Sequence, residues 1–216
     1  MIVVKHRVNA ISDLNNTAQS LGCEIDLRNH DDEIFVTHDA FDRGNVSLDQ
    51  WLDSFSNSFL ILNVKEEGLE SRIFDLMDRH NISDFFILDE TIPFIRKHAL
   101  NGRSEFATRV SEIESEKSAI LLQQHLQCTG SKIDWVWVDS FNGSPLQQKV
   151  YIDLKKHGFK ICQVSPELHH LDKPEYWERL AHNFLDSLQA QNVKIDMICT
   201  KLTSFWSMNS EAITDR

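Results

Sequence analysis

The sequence predicts an α/β fold, a compact single-domain (β/α)8 TIM barrel without a large inserted subdomain, and three observations point to it. Short apolar, β-branched or aromatic runs alternate with longer segments of helical periodicity along the whole chain, the pattern of βα units around a parallel sheet. Eight such units fit into 216 residues, near the lower size limit of the barrel. No Gly-, Ser- or Pro-rich linker, internal repeat or low-complexity tract divides the chain, which has only 7 glycines, so one domain is expected over residues 1–216. A doubly wound open sheet is the competing architecture.

The strand runs are, in order, IVVKHRV, CEIDLRN with the hairpin-like IFVTHD as its extension, FLILNVK, DFFILD, FATRVS, IDWVWVDS, KICQVS and IDMICTK. Between them lie helix candidates: ISDLNNTAQSL, SLDQWLDSF, LESRIFDLMDRH, TIPFIRKHAL, a segment around IESEKSAILLQQHL, PLQQKVYIDLKKHG and PEYWERLAHNFLDSLQAQ. Ser47 and Asp49 suit the start of the second helix, and Pro145 and Pro174 lie near helix openings, where a missing N–H costs little. Lys155, Lys156 and His157 followed by Gly158 form a cationic last turn and a glycine stop. Trp135 and Trp137 alternate in WVWVD and should fill the barrel interior. Trp206, after the last strand, either covers the mouth or caps the bottom.

A formal net charge of −11 works against nucleic acid or an anionic membrane as a partner, because no basic patch of the needed size is visible. Cys23, Cys128, Cys162 and Cys199 lack paired C-x-x-C spacing and read as reduced, mostly buried thiols. Neither a signal sequence nor an apolar run of ~18 residues is seen, so no transmembrane segment is expected and the cytoplasm is the default compartment.

Chemistry in such barrels gathers at the carboxyl ends of the strands. Those ends supply His6 and Arg7, Glu24 and Asp26, His38, Asn63 and Lys65, Asp89, Arg109, Asp139, Ser165 and Glu167, and Lys201. Side chains two apart on a strand share a face. Glu24 with Asp26, and Asn63 with Lys65, can therefore point into the mouth together. Cys23, Ile25 and Leu27 make the alternate face apolar, so the two acids face inward at a cost unless something pairs with them. Phosphodiester cleavage needs a base, an acid for the leaving oxygen and positive charge on the non-bridging oxygens. Two histidines suit the first two tasks, and a cation on the paired acids beside Arg7 and Lys65 suits the third.

HR near the N-terminus, E-x-D on the second strand, the following HD and x-V-K on the next strand resemble the glycerophosphodiester phosphodiesterases, within the phosphatidylinositol-phospholipase-C-like superfamily. The resemblance implies a metal-dependent phosphodiesterase domain acting on a small-molecule phosphodiester, a glycerophosphodiester or related polyol or sugar phosphodiester. His6 and His38 would be the acid/base pair and Arg7 a phosphate contact. Glu24, Asp26 and Asn63 would hold one divalent cation, Mg²⁺ or Ca²⁺, with Asp139 and Glu167 as further candidate ligands. Lys65, and more weakly Arg109 and Lys201, would face the phosphoryl oxygens.

Two departures stand out. Val8 follows the HR where the family has Gly, and Asn63 stands where the family has an acid. An Asn carbonyl can ligate a hard cation but brings no charge. Only AFDRGNVSLDQW occupies the place of the small domain the family often inserts after the HD. The other eight histidines, His169 among them, carry no motif and read as structural. The alternative function is a non-catalytic barrel that binds a phosphorylated ligand.

Overall fold

The structure, a computed structural model, describes residues 1–214. Its strands are β1 (Ile2–Lys5), β2 (Gly22–His30), β3 (Glu33–Val36), β4 (Leu60–Val64), β5 (Phe85–Leu88), β6 (Ala107–Val110), β7 (Trp135–Val138), β8 (Lys160–Val164) and β9 (Met197–Thr200). The helices are α1 (Ile11–Asn15), α2 (Leu48–Leu52), α3 (Glu70–Arg79), α4 (Ile92–Ala99), α5 (Glu116–Gln127), α6 (Gln148–Lys156), α7 (Trp177–Ala190) and α8 (Thr203–Asn209).

Eight strands run parallel in the order β5-β4-β2-β1-β9-β8-β7-β6, and β3 folds back antiparallel on β2 as the expected hairpin. A single parallel bridge, Ile87 to Phe106, joins the two ends and closes the barrel. The expected barrel is therefore observed, and the seam between β5 and β6 is its most thinly hydrogen-bonded join.

Two apolar clusters follow from the period-2 alternation of the strands. One lies between strands and helices and includes Val3, Cys23, Ile25, Leu27, Leu60 and Leu62. The other fills the barrel interior with Val4, Phe59, Ile61, Phe86, Trp135, Trp137 and Met197. Phe59, Phe86 and Trp135 pack ring to ring at centroid distances of 5.3–5.7 Å. Each such burial contributes about 1.5–3 kcal/mol. Strand β2 gives its inner face to Glu24 and Asp26 instead, which moves the polar chemistry to the mouth above this plug. Gly22 starts β2 because a Cβ there would sit 2.8 Å from Val4 Cγ2 and 3.1 Å from the Phe59 carbonyl.

Local signals account for several ends. Ser47 caps α2 in a reciprocal box with Gln50. Gly158 follows α6 at φ +84°, the left-handed stop its position requires. The first helix is shorter than its periodic stretch, because Asn16 and Thr17 turn their side chains back onto the Ser12 and Asp13 carbonyls. Helix α8 had no sequence expectation. It buries Trp206, whose Nε1 donates to Ser165 Oγ at 2.8 Å just beyond β8, which puts this indole at the mouth end and not the bottom. Among the described residues, no helix is long and apolar enough to cross a membrane.

Candidate active site

Parallel register sets the centre of the site. Asp26 pairs with Asn63 across β2 and β4, and Val4 and Lys5 of β1 pair with Gly22 and Cys23 of β2. The carboxyl ends of β1, β2 and β4 thus bring His6, Arg7, Glu24, Asp26, Asn63 and Lys65 to one place. Arg7 adopts φ +56°, rare for a non-glycine residue, and this turns its N–H onto Glu24 Oε2 at 2.7 Å. The other oxygen, Glu24 Oε1, accepts from Asn63 Nδ2 at 2.9 Å.

Asp26 is held more fully. Its Oδ2 accepts from Asn9 Nδ2 at 2.9 Å, its N–H donates to Asn9 Oδ1 at 3.0 Å, and the Arg7 guanidinium lies 3.4 Å away. Lys65 Nζ stands 3.1 Å from Asp26 Oδ1. Asn9 was not singled out in the sequence; its position two residues past Arg7 is the only local signal that could have found it.

Burial and charge divide the titratable groups. Glu24 is fully buried, and that burial, followed by the negative charge of Asp26, pushes its carboxyl up to about 7 against the hydrogen bonds from Asn63 and Arg7. Burial first, then the positive charges of Lys201 and Arg7, hold the His6 imidazole down at about 3. His6 is therefore neutral at physiological pH. Its Nε2 lies 3.8 Å from Glu24 Oε2, and its Nδ1 is buried without a hydrogen-bond partner.

His38 occupies the rim. Its Nδ1 is 2.7 Å from Asp39 Oδ1, its carbonyl accepts from Arg28 Nε at 2.9 Å, and its ring is about two-fifths exposed. With Arg7, Asn9 and Thr37 it lines an open cavity of about 580 Å³. Arg7 and His38 thus share one cavity, of which His6 is not a lining residue.

The remaining candidates are each engaged by protein partners. Arg109 reaches across the β5–β6 seam to Asp89 at 2.5 Å and to Asp139 at 2.8 Å, while Asp139 also meets His169 Nε2 at 2.5 Å and accepts from the Ser140 N–H. Asp89, at φ +69°, also faces Lys65 Nζ at 3.7 Å. Arg109 and Asp139 thus belong to a chain of charges running from Asp26 through Lys65 and Asp89 to His169.

Glu167 is buried with both oxygens hydrogen-bonded, to Ser165, Thr200 and Lys201. Lys201 does enter the site, donating its Nζ to the His6 carbonyl at 2.6 Å.

No group of three or more His, Cys, Asp or Glu side chains among the described residues is set to hold a metal ion. The donors nearest to that description are Glu24, Asp26 and the Asn63 amide, whose Oδ1 is buried with no hydrogen-bond partner. Two carboxylates and one amide oxygen are hard ligands of the type Mg²⁺ and Ca²⁺ take. The set fits such a cation in donor type and is one negative charge short of a three-carboxylate site.

No protein-family model and no curated protein matches the sequence. Solved structures do match. A protein assigned as a glycerophosphoryl diester phosphodiesterase from Agrobacterium tumefaciens str. C58 superposes with a TM-score of 0.66 at 10% identity, over 97% of each chain. A glycerophosphoryl diester phosphodiesterase from Parabacteroides distasonis ATCC 8503 gives 0.66 at 14% identity, over 100% of this chain and 88% of that one. The chain shares their fold. At such identities the likeness is one of backbone, and the chemistry has to come from the side chains described above.

Proposed function

We propose that the chain is a phosphodiesterase acting on a small-molecule phosphodiester, a glycerophosphodiester or a related polyol or sugar phosphodiester. The observation that carries this reading is a neutral, buried His6 with an unpartnered ring nitrogen, set beside Arg7, Lys65 and Lys201 at the mouth of a barrel shared with glycerophosphoryl diester phosphodiesterases.

His6 accepts the proton of the attacking hydroxyl, from water or from a neighbouring hydroxyl of the substrate itself. His38, at the rim, donates a proton to the leaving alcohol oxygen, and Asp39 orients its ring. Arg7, Lys65 and Lys201 draw in the anionic phosphodiester and oppose the charge that builds on its non-bridging oxygens. The same anion offsets the charges of Lys201, Arg7 and Lys65 that, after burial, hold His6 down, so the imidazole becomes a stronger base once substrate is bound. Glu24, Asp26 and the Asn63 amide oxygen would hold a divalent cation. Bound there, it supplies positive charge that favours the ionised carboxylates and the transition-state phosphorane.

The second reading, a barrel that binds a phosphorylated ligand without cleaving it, is favoured by one feature: Asn63 donates to Glu24 where an acid would have repelled it. Product analysis separates the two. The protein is incubated with a panel of glycerophosphodiesters and sugar phosphodiesters, with Mg²⁺, Mn²⁺ or Ca²⁺ added. Release of a phosphomonoester or cyclic phosphate supports cleavage, and ligand binding without any product supports the second reading.

A further inference from the structure

We propose that Glu167 is a positioning residue that sets His6 through the Thr200–Lys201 pair. This rests on the reading of His6 as the base. The feature that calls for a role is a carboxylate with no exposed surface, in the turn just after β8. A buried charge is costly unless every lone pair is used. Here Oε1 accepts from Thr200 Oγ1 at 2.5 Å and from the Lys201 N–H at 2.9 Å, and Oε2 accepts from Ser165 Oγ. Ser165 Oγ accepts in turn from the Trp206 indole at 2.8 Å, and Thr200 Oγ1 accepts from the Leu202 N–H at 2.8 Å.

Two of the three residues that Glu167 grips, Thr200 and Lys201, are the two that grip His6. The His6 N–H donates to the Thr200 carbonyl at 2.9 Å, and the His6 carbonyl accepts from Lys201 Nζ at 2.6 Å. Both polar groups of the His6 residue's backbone are therefore fixed by a dipeptide whose hydroxyl and amide are fixed by one carboxylate. Ladder pairing alone does not require this. Strand β9 is already in register with β1 from Ile2–Met197 to Lys5–Thr200 and with β8 from Cys162–Met197 to Val164–Cys199. The carboxylate adds its bonds at the last rung of the ladder and one step beyond it, where β9 ends and Lys201 turns towards the site.

The test uses the full chain and the phosphodiester of the panel that the wild type cleaves best. Glu167→Gln places an amide N–H against donors and loosens the pair, so kcat should fall roughly 10–100-fold with KM within about twofold, the size expected for a displaced catalytic group. Lys201→Met, which also removes a cation facing the phosphodiester, should lower kcat at least as far. The double variant should be no slower than Lys201→Met alone, because Glu167 acts through the same backbone. A readout independent of turnover is the His6 ring in a histidine-selective NMR spectrum, which should move in the same direction in both variants.

If Glu167→Gln fails to fold, Thr200→Val removes only the hydroxyl of the chain and carries the same expectation. A folded Glu167→Gln or Thr200→Val enzyme with wild-type kcat overturns the positioning role while leaving the phosphodiesterase reading intact, and so does a double variant whose losses multiply. A wild type that cleaves none of the panel overturns both.

Discussion

Glu24 gives the sharpest quantitative prediction because it is a buried acid with its carboxyl pushed from 4.5 up to about 7. A carboxyl that is harder to ionise in the folded state binds more protons there than in the unfolded chain. Stability is then greatest below pH 4.5 and is lost as pH rises through about 7. At about 1.4 kcal/mol per pH unit this rise corresponds to roughly 3 kcal/mol, most of it lost between pH 5 and 8. Glu24→Gln removes that titration. Its amide N–H faces a donor, from Arg7 or Asn63, and this adds a penalty of about 1–3 kcal/mol that does not vary with pH.

Urea unfolding of both proteins in chelator from pH 4.5 to 8.5 should therefore show the wild type losing ground to the variant by about 3 kcal/mol as pH rises. Mg²⁺ or Ca²⁺ should restore the wild type alone at the upper end. Parallel pH profiles for the two proteins would refute the assignment of a raised Glu24.

Three further outcomes are expected. Asn63→Asp adds a carboxylate beside Glu24 and Asp26, so calorimetric affinity for Mg²⁺ or Ca²⁺ should rise by about tenfold or more, ~1.4 kcal/mol counting as a decade; no gain would place residue 63 outside the ligand set. His6→Ala and His38→Ala should each lower kcat by roughly 10²–10⁴-fold with little change in KM, and the double variant should be scarcely slower than the worse single one. Turnover of both single variants at near-normal rates would remove the acid/base assignment. Arg109→Met cuts the Asp89–Arg109–Asp139 link over the β5–β6 seam and should lower the unfolding free energy by about 2 kcal/mol, with earlier hydrogen exchange at Ile87 and Phe106 as its local sign. Unchanged protection there would show that the ion pairs do not hold the seam.

The barrel was legible because its signal is local. Alternation in Cys23–Glu24–Ile25–Asp26–Leu27 assigns each side chain to a face, and the structure sends the apolar three outward to the helices and the acids inward. The cap at Ser47 and the glycine stop at Gly158 were legible for the same reason.

What was not legible depends on contacts between residues far apart in sequence or on side-chain rotation. Residue 63 can be read from the sequence, but not that its Nδ2 would turn to Glu24. Arg109 at a strand end looks the same on paper whether it meets a phosphate or, as here, carboxylates 20 and 30 residues away. Glu167 is the same case, a strand-end acid whose partners lie 33 and 34 residues on. His169 lacks any motif and acquires its place only when the turn after β8 carries it to Asp139.

Catalysis by His6 at this mouth is tested most directly by following phosphodiester cleavage in the wild type and in His6→Ala side by side. The same phosphodiester panel is used, with Mg²⁺, Mn²⁺ or Ca²⁺ supplied and product detected by phosphorus NMR. The expected result is conversion to a phosphomonoester or cyclic phosphate by the wild type, with the variant slower by roughly 10²–10⁴-fold while still binding the substrate. Equal conversion by both proteins, or binding without conversion by the wild type, would contradict it.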